Sequence, residues 1–141
     1  MSAYTTLENF IDAVTLDVAI ELTNLSDAET TSVDVDVFNR AQEKTSALID
    51  GYISNRYTLP LATVPPLLAG IEVDLLYYEL ARNGGDEEAR KRYDDAIKRL
   101  LDIHNGKLSL GLPTATAPAP VGGPACTAPG RIFTPQSLNG F

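Results

Sequence analysis

From Val37 to Ile53 the buried-type residues fall at steps of three and four: Val37, Phe38, Ala41, Thr45, Leu48, Ile49, Tyr52 and Ile53. That spacing lines one face of an α-helix and does not suit the two-residue alternation of a half-buried strand. It predicts one long helix over about 33–56. Asp34 and Asp36 stand near its start, where the helix dipole favours negative charge. Gly51 lies inside it and costs about 1 kcal/mol relative to Ala. Close packing against a neighbouring helix is the expected reason for that glycine.

The flanking segments have the same helical character. Thr5 and Glu8 stand at capping-box spacing, and Leu7, Phe10, Ile11 and Val14 follow at helical intervals. Thr15 restarts a second short helix carrying Leu16, Val18, Ala19 and Leu22, and the polar stretch from Thr23 to Ser32 reads as a loop. Tyr57-Thr58-Leu59-Pro60-Leu61, running to Pro65-Pro66, reads as an extended connector, because proline disfavours helix in the residue before it. Pro66 suits the first turn of the next helix. From there to about Arg82 the sequence is apolar nearly all round, through Leu67, Leu68, Ile71, Val73, Leu75, Leu76, Tyr77, Tyr78 and Leu80. Such a helix is central in its own domain or shared with a neighbouring subunit. Asn83-Gly84-Gly85 ends it.

The last helix opens with Asp86, Glu87 and Glu88, again acidic at the positive end of the dipole. Its core face is Ala89, Tyr93, Ala96, Ile97, Leu100 and either Ile103 or His104, and Gly106 is placed to end it as a C′ glycine. On the other face Glu87 precedes Lys91, Glu88 precedes Arg92, Asp94 precedes Lys98 and Asp95 precedes Arg99, each by four residues. This is a solvated, ion-paired face rather than a nucleic-acid patch. The expected fold is all-α, a small bundle of four to five helices over residues 1–111.

After Leu112 the composition changes. Residues 113–130 contain five prolines among Ala, Thr and Gly, and such a stretch cannot bury enough apolar surface to fold alone. Residues 112–141 therefore read as an extended Pro/Ala/Gly-rich arm. Yet the arm closes with Arg131-Ile132-Phe133-Thr134-Pro135-Gln136-Ser137-Leu138-Asn139-Gly140-Phe141, which is apolar again. Burying Ile132, Phe133, Leu138 and Phe141 supplies less free energy than ordering the backbone of that peptide consumes. Order requires backbone pairing with a partner, or repetition in a ring of tethered tails. The alternative is a tail folded back on its own bundle.

With 141 residues the chain suffices for one domain. A net charge of −8 disfavours direct binding to a phosphate backbone. No apolar run approaches the roughly 20 residues that span a bilayer, and MSAYTTLENF lacks the features of a signal peptide. Cys126 is the single cysteine, so no internal disulfide is possible. His104 is the single histidine and reads as a packing or capping residue. There is no GxxxxGK[ST] loop and no GxGxxG after a strand. Asp34/Asp36 and Asp94/Asp95 are accounted for by the helix dipole and by i,i+4 pairing. The expectation is a non-enzymatic protein with no catalytic residue, no cofactor and no metal, made in the cytoplasm and later assembled into something larger.

Three stretches carry a resemblance. They are Tyr4-Thr5-Thr6-Leu7 with Ile20-Glu21-Leu22-Thr23; Ile49-Asp50-Gly51-Tyr52-Ile53-Ser54-Asn55-Arg56-Tyr57-Thr58-Leu59-Pro60-Leu61 running to Val64-Pro65-Pro66-Leu67-Leu68; and Arg92-Tyr93-Asp94-Asp95-Ala96 with Gly106-Lys107-Leu108-Ser109-Leu110-Gly111, Arg131-Ile132-Phe133-Thr134 and Gly140-Phe141. Together they resemble the Mu-like tailed-phage and prophage proteins of the head–tail connector (adaptor) class. The resemblance implies a structural subunit of a dodecameric ring at the head–tail junction of a virion, contacting its own copies, the portal protein and the next tail-connector component. It also implies a C-terminal arm that docks on a neighbour, which assigns Arg131, Ile132, Phe133, Leu138 and Phe141 to partner contact. Tyr57, Leu59, Pro60, Leu61 and Tyr77 are candidates for a subunit interface. DNA would pass through such a ring without specific binding, the negative charge keeping the wall from gripping it. No membrane is expected to be involved. Two other readings differ in place or class: a tail-completion or terminator protein, and a helical regulatory module using a helix-turn-helix. The latter requires a basic recognition helix, whereas the basic residues after Glu87 are paired with acids.

Overall fold

The computed structural model describes residues 3–24, 30–81 and 87–115. Five helices account for most of them: α1 (Leu7–Val14), α2 (Leu16–Thr23), α3 (Val35–Ile53), α4 (Pro66–Leu80) and α5 (Glu87–His104). There is no strand among the described residues. The all-α bundle is as the periodicity requires. The arm's terminal peptide, with Arg131, Ile132, Phe133, Leu138 and Phe141, lies outside the described residues, as do Cys126 and Asn83-Gly84-Gly85.

The helix starts follow local chemistry, with one shift. Thr6, not Thr5, caps α1, its side chain accepting from the Asn9 N–H at 3.2 Å. The Thr5 N–H donates to Glu72 rather than to Glu8, the partner a capping box would give it. Thr15 joins α1 to α2 at φ 77°, ψ 154°, a region that costs a β-branched residue strain. The Asp34 carboxylate caps α3 by accepting from the N–H groups of Asp36 and Val37, both at 3.0 Å. Pro66 stands at the first position of α4, where its missing N–H costs nothing. Gly106 ends α5 at φ 78°, the left-handed conformation that glycine adopts without a Cβ penalty.

Two apolar clusters meet on α4. The larger packs Ile49 and Ile53 of α3 against Leu68, Ile71 and Leu75 of α4 and Ala96, Leu100 and Ile103 of α5, closed by Tyr4, Tyr57 and Leu110. In the smaller, Phe10 and Ala19 of the α1–α2 hairpin cover Phe38 and Ala41 of α3 and Leu76 and Leu80 of α4. The Phe10 and Phe38 rings lie 5.5 Å apart, tilted, a favoured aromatic geometry. Because α4 serves both clusters it is buried round most of its circumference, which is why its sequence has no polar face.

One polar residue breaks that pattern. Glu72 is fully buried in mid-α4. Its carboxylate accepts from the backbone N–H of Tyr4 at 2.9 Å, from that of Thr5, and from the Ser46 hydroxyl at 2.5 Å. The Tyr4 hydroxyl reaches Asp50 on α3. The extended N-terminus is thus pinned across α3 and α4. Burial raises the Glu72 carboxyl above its ordinary 4.5, against the lowering pull of the Ser46, Thr5, Tyr4 and Thr45 hydrogen bonds.

The outer face of α5 is less paired than its sequence suggests. Glu88–Arg92 closes at 2.7 Å, whereas Glu87–Lys91, Asp94–Lys98 and Asp95–Arg99 do not. While paired with Glu88, Arg92 also lies over the Tyr77 ring, 5.6 Å from its centroid. With Arg99 it stands in the field of Asp74 on α4, whose carboxyl burial nonetheless raises. Some of the helix's basic charge therefore faces α4 as well as its own acids.

Candidate docking surface

The C-terminal ends of α3 and α5 come together at one end of the bundle, and two of the segments that carry the family resemblance, DGYISNRYTLPL and GKLSLG, meet there. The His104 Nδ1 lies 3.0 Å from the Tyr52 carbonyl. A carbonyl can only accept, so Nδ1 donates, and it satisfies one of the last carbonyls of α3. The Tyr57 hydroxyl accepts from the Leu110 N–H at 3.1 Å. The Arg56 guanidinium lies so close over Gly106 that any Cβ there would collide with it. The Arg56 carbonyl accepts from the Ala115 N–H at 2.8 Å. DGYISNRYTLPL and GKLSLG are therefore two halves of one clasp that closes the bundle and fixes where the chain leaves it.

That geometry sorts the expected interface residues. Tyr57 is 1% exposed, so its side chain is committed within its own chain and offers no surface to a neighbour. Leu59 and Leu61 are half-buried against the larger cluster. Pro60 stands exposed after a cis Leu59–Pro60 bond. Tyr77 is half-buried under Arg92. Pro60 is thus the most accessible of the five.

An open apolar groove runs beside the clasp, between the last turns of α3 and α5. It encloses about 430 Å³ and is lined by Ala47, Leu48, Gly51, Tyr52, Leu101 and His104. Leu101 is 42% exposed, one of the few large apolar side chains left in solvent. Gly51 corrects an expectation. No neighbouring helix packs on it: it is exposed, and a Cβ added there would meet nothing within 4 Å. Sequence reasoning did not find this groove, because Leu101 falls just off the α5 core face and Gly51 reads as a packing contact.

Among the described residues no three or more His, Cys, Asp and Glu side chains cluster as metal ligands would, and no helix is long and apolar enough to cross a membrane. The arrangement offers apolar contact surface and an anchored exit for the chain.

Residues 4–127 match the family model described as Bacteriophage Mu, Gp36. The chain is 36% identical over 112 residues to the Mu-like prophage FluMu protein gp36 of Haemophilus influenzae, a match covering 79% of this chain and 78% of that one. It is 33% identical over 86 residues to Gene product J of Escherichia phage Mu, covering 61% of each. Since the matched span takes in all five helices and the clasp, this chain belongs to the Bacteriophage Mu Gp36 family and is a Mu-like phage protein.

Proposed function

We propose that this chain is a structural head-to-tail connector (adaptor) subunit, working as a ring of copies between the portal and the next tail component. The reading assigns it no chemistry and no cofactor. Its place is the virion's head–tail junction, after synthesis in the host cytoplasm. The observation that carries it is the clasp: a small helical body closed on itself, from which a proline-rich chain with an apolar end departs at one anchored point, Ala115 on Arg56. A tethered apolar peptide on a rigid body is a device for joining subunits, and repetition round a ring multiplies its effect. Membership of a phage Mu family is consistent with that use.

Light scattering tests it, on the full chain and on a chain ending at Ala115, each alone and with the cognate portal. The longer boundary keeps Leu112 on the core and the Ala115 hydrogen bond. Rings of the full chain on the portal, absent for the shortened chain, are the expected result. If neither form binds the portal, portal docking is wrong, and a tail-completion or terminator role takes its place.

A further inference from the structure

Among the described residues the α3–α5 groove has no occupant, and Gly51 argues that it has one in use. Glycine inside a helix is destabilising. Nothing among the described residues needs the missing Cβ, since the space over Gly51 is open. A position that gives up helix propensity and leaves a gap between Leu48, Tyr52 and the exposed Leu101 suits the close approach of an outside backbone.

The arm's length says whose backbone it is. The described chain ends at Ala115, hydrogen-bonded to Arg56 just beyond α3 and within about two helical turns of Gly51. Ile132 follows 17 residues later, across a stretch rich in proline. If extended, a stretch of that length reaches up to about 50 Å at roughly 3.1 Å per residue. The longest helix of the bundle, α3 with 19 residues, measures about 28 Å at 1.5 Å per residue. That reach exceeds what the groove beside its own root needs and is enough to bring the arm's end to another copy. Charge agrees: Arg131 is the only charged side chain after Lys107, so it carries +1 toward a remainder of −9.

We infer that the α3–α5 groove receives the C-terminal peptide of a second copy of this chain, with Ile132 and Phe133 filling the space over Gly51. This rests on the connector reading and names the partner of the arm. Peptide into the next copy's groove is a head-to-tail contact, the kind that closes into a ring when its rotation permits.

Two full-length variants test it by complementation. Gly51→Leu blocks the groove and leaves the arm intact. Ile132→Ser with Phe133→Ser blunts the arm and leaves the groove intact. Leu101→Asp, at an already exposed position, is a second blocked form should Gly51→Leu misfold. Isotope-labelled blunted chain, titrated with unlabelled blocked chain, is expected to shift its amide resonances at residues 47–52 and 101–104, and the mixture to approach twice the monomer mass. Neither variant alone is expected to exceed monomer mass. Absence of those shifts in the mixture overturns the inference. So does a concentration-independent difference at the groove between wild type and blunted chain, which means the peptide seats on its own bundle. Ring formation on the portal without groove shifts also overturns it, yet leaves the connector reading standing.

Discussion

Replacing Glu72 by Leu removes the acceptor that pins the N-terminus while keeping the side chain large and apolar. Two buried backbone donors, on Tyr4 and Thr5, then lose their partner, at about 1–3 kcal/mol each. Two effects limit the loss. Leucine is cheaper to bury than a carboxylate, and the N-terminus can peel away rather than stay unsatisfied. Peeling sacrifices the burial of Tyr4, about 1.5–3 kcal/mol, and its hydroxyl bond to Asp50, about 1.5–3 kcal/mol for a charged acceptor. The expected net cost is about 2–4 kcal/mol. Glu72→Gln behaves differently. Its carbonyl oxygen accepts from both N–H groups while its amide donates to the Ser46 oxygen, so stability stays within about 1 kcal/mol of the parent. Urea unfolding reads the stability, and amide exchange at residues 4–6 reads the peeling. A Leu variant within about 0.5 kcal/mol of the parent, or a Gln variant as weak as the Leu one, refutes this account.

The same carboxyl sets a pH dependence. Because burial raises Glu72 above 4.5, the folded chain binds its proton more tightly than the unfolded one. Its contribution to stability is fully present below 4.5 and is lost as pH rises through the folded value. The stability difference between parent and Glu72→Gln should therefore shift in favour of Gln across that window, read by urea unfolding at successive pH values; a shift the other way contradicts the assignment. Tyr57→Phe leaves the Leu110 N–H without its acceptor and should cost about 1–3 kcal/mol by urea unfolding. It should leave oligomeric mass unchanged by light scattering, since the ring is buried. Phe10→Ala opens the smaller cluster at about 3–5 kcal/mol, and hydrogen exchange should rise over 7–24 before it rises over α3–α5.

Periodicity made most of this fold legible. The α3 stripe, the apolar circumference of α4, the Pro66 start and the Gly106 stop all stand where local rules put them, because each is decided by residues within a turn or two. What stayed hidden depends on partners far along the chain. Thr5 fits a capping box and is taken from it by Glu72, a contact across 67 positions. Glu72 itself carried a signal: it is an acid four residues from both Leu68 and Leu76, on the most apolar side of its helix. The candidate surface was legible only in part. The arm announces itself by composition, but Tyr57 reads as an interface aromatic when it is a core residue whose hydroxyl closes a clasp. Gly51 reads as a packing glycine when it faces a groove that the described residues leave open, and local spacing does not distinguish the two.

The Glu72 pin also has a consequence in time. Tyr4 leaves the ribosome 68 residues ahead of its partner Glu72. At 5–20 residues per second that interval is roughly 3–14 s. Throughout it the α1–α2 hairpin, with Phe10 and Leu7, has neither α4 nor the carboxylate to settle on. The hairpin is therefore made long before it can acquire its place, and in that interval its apolar surface is open to a chaperone.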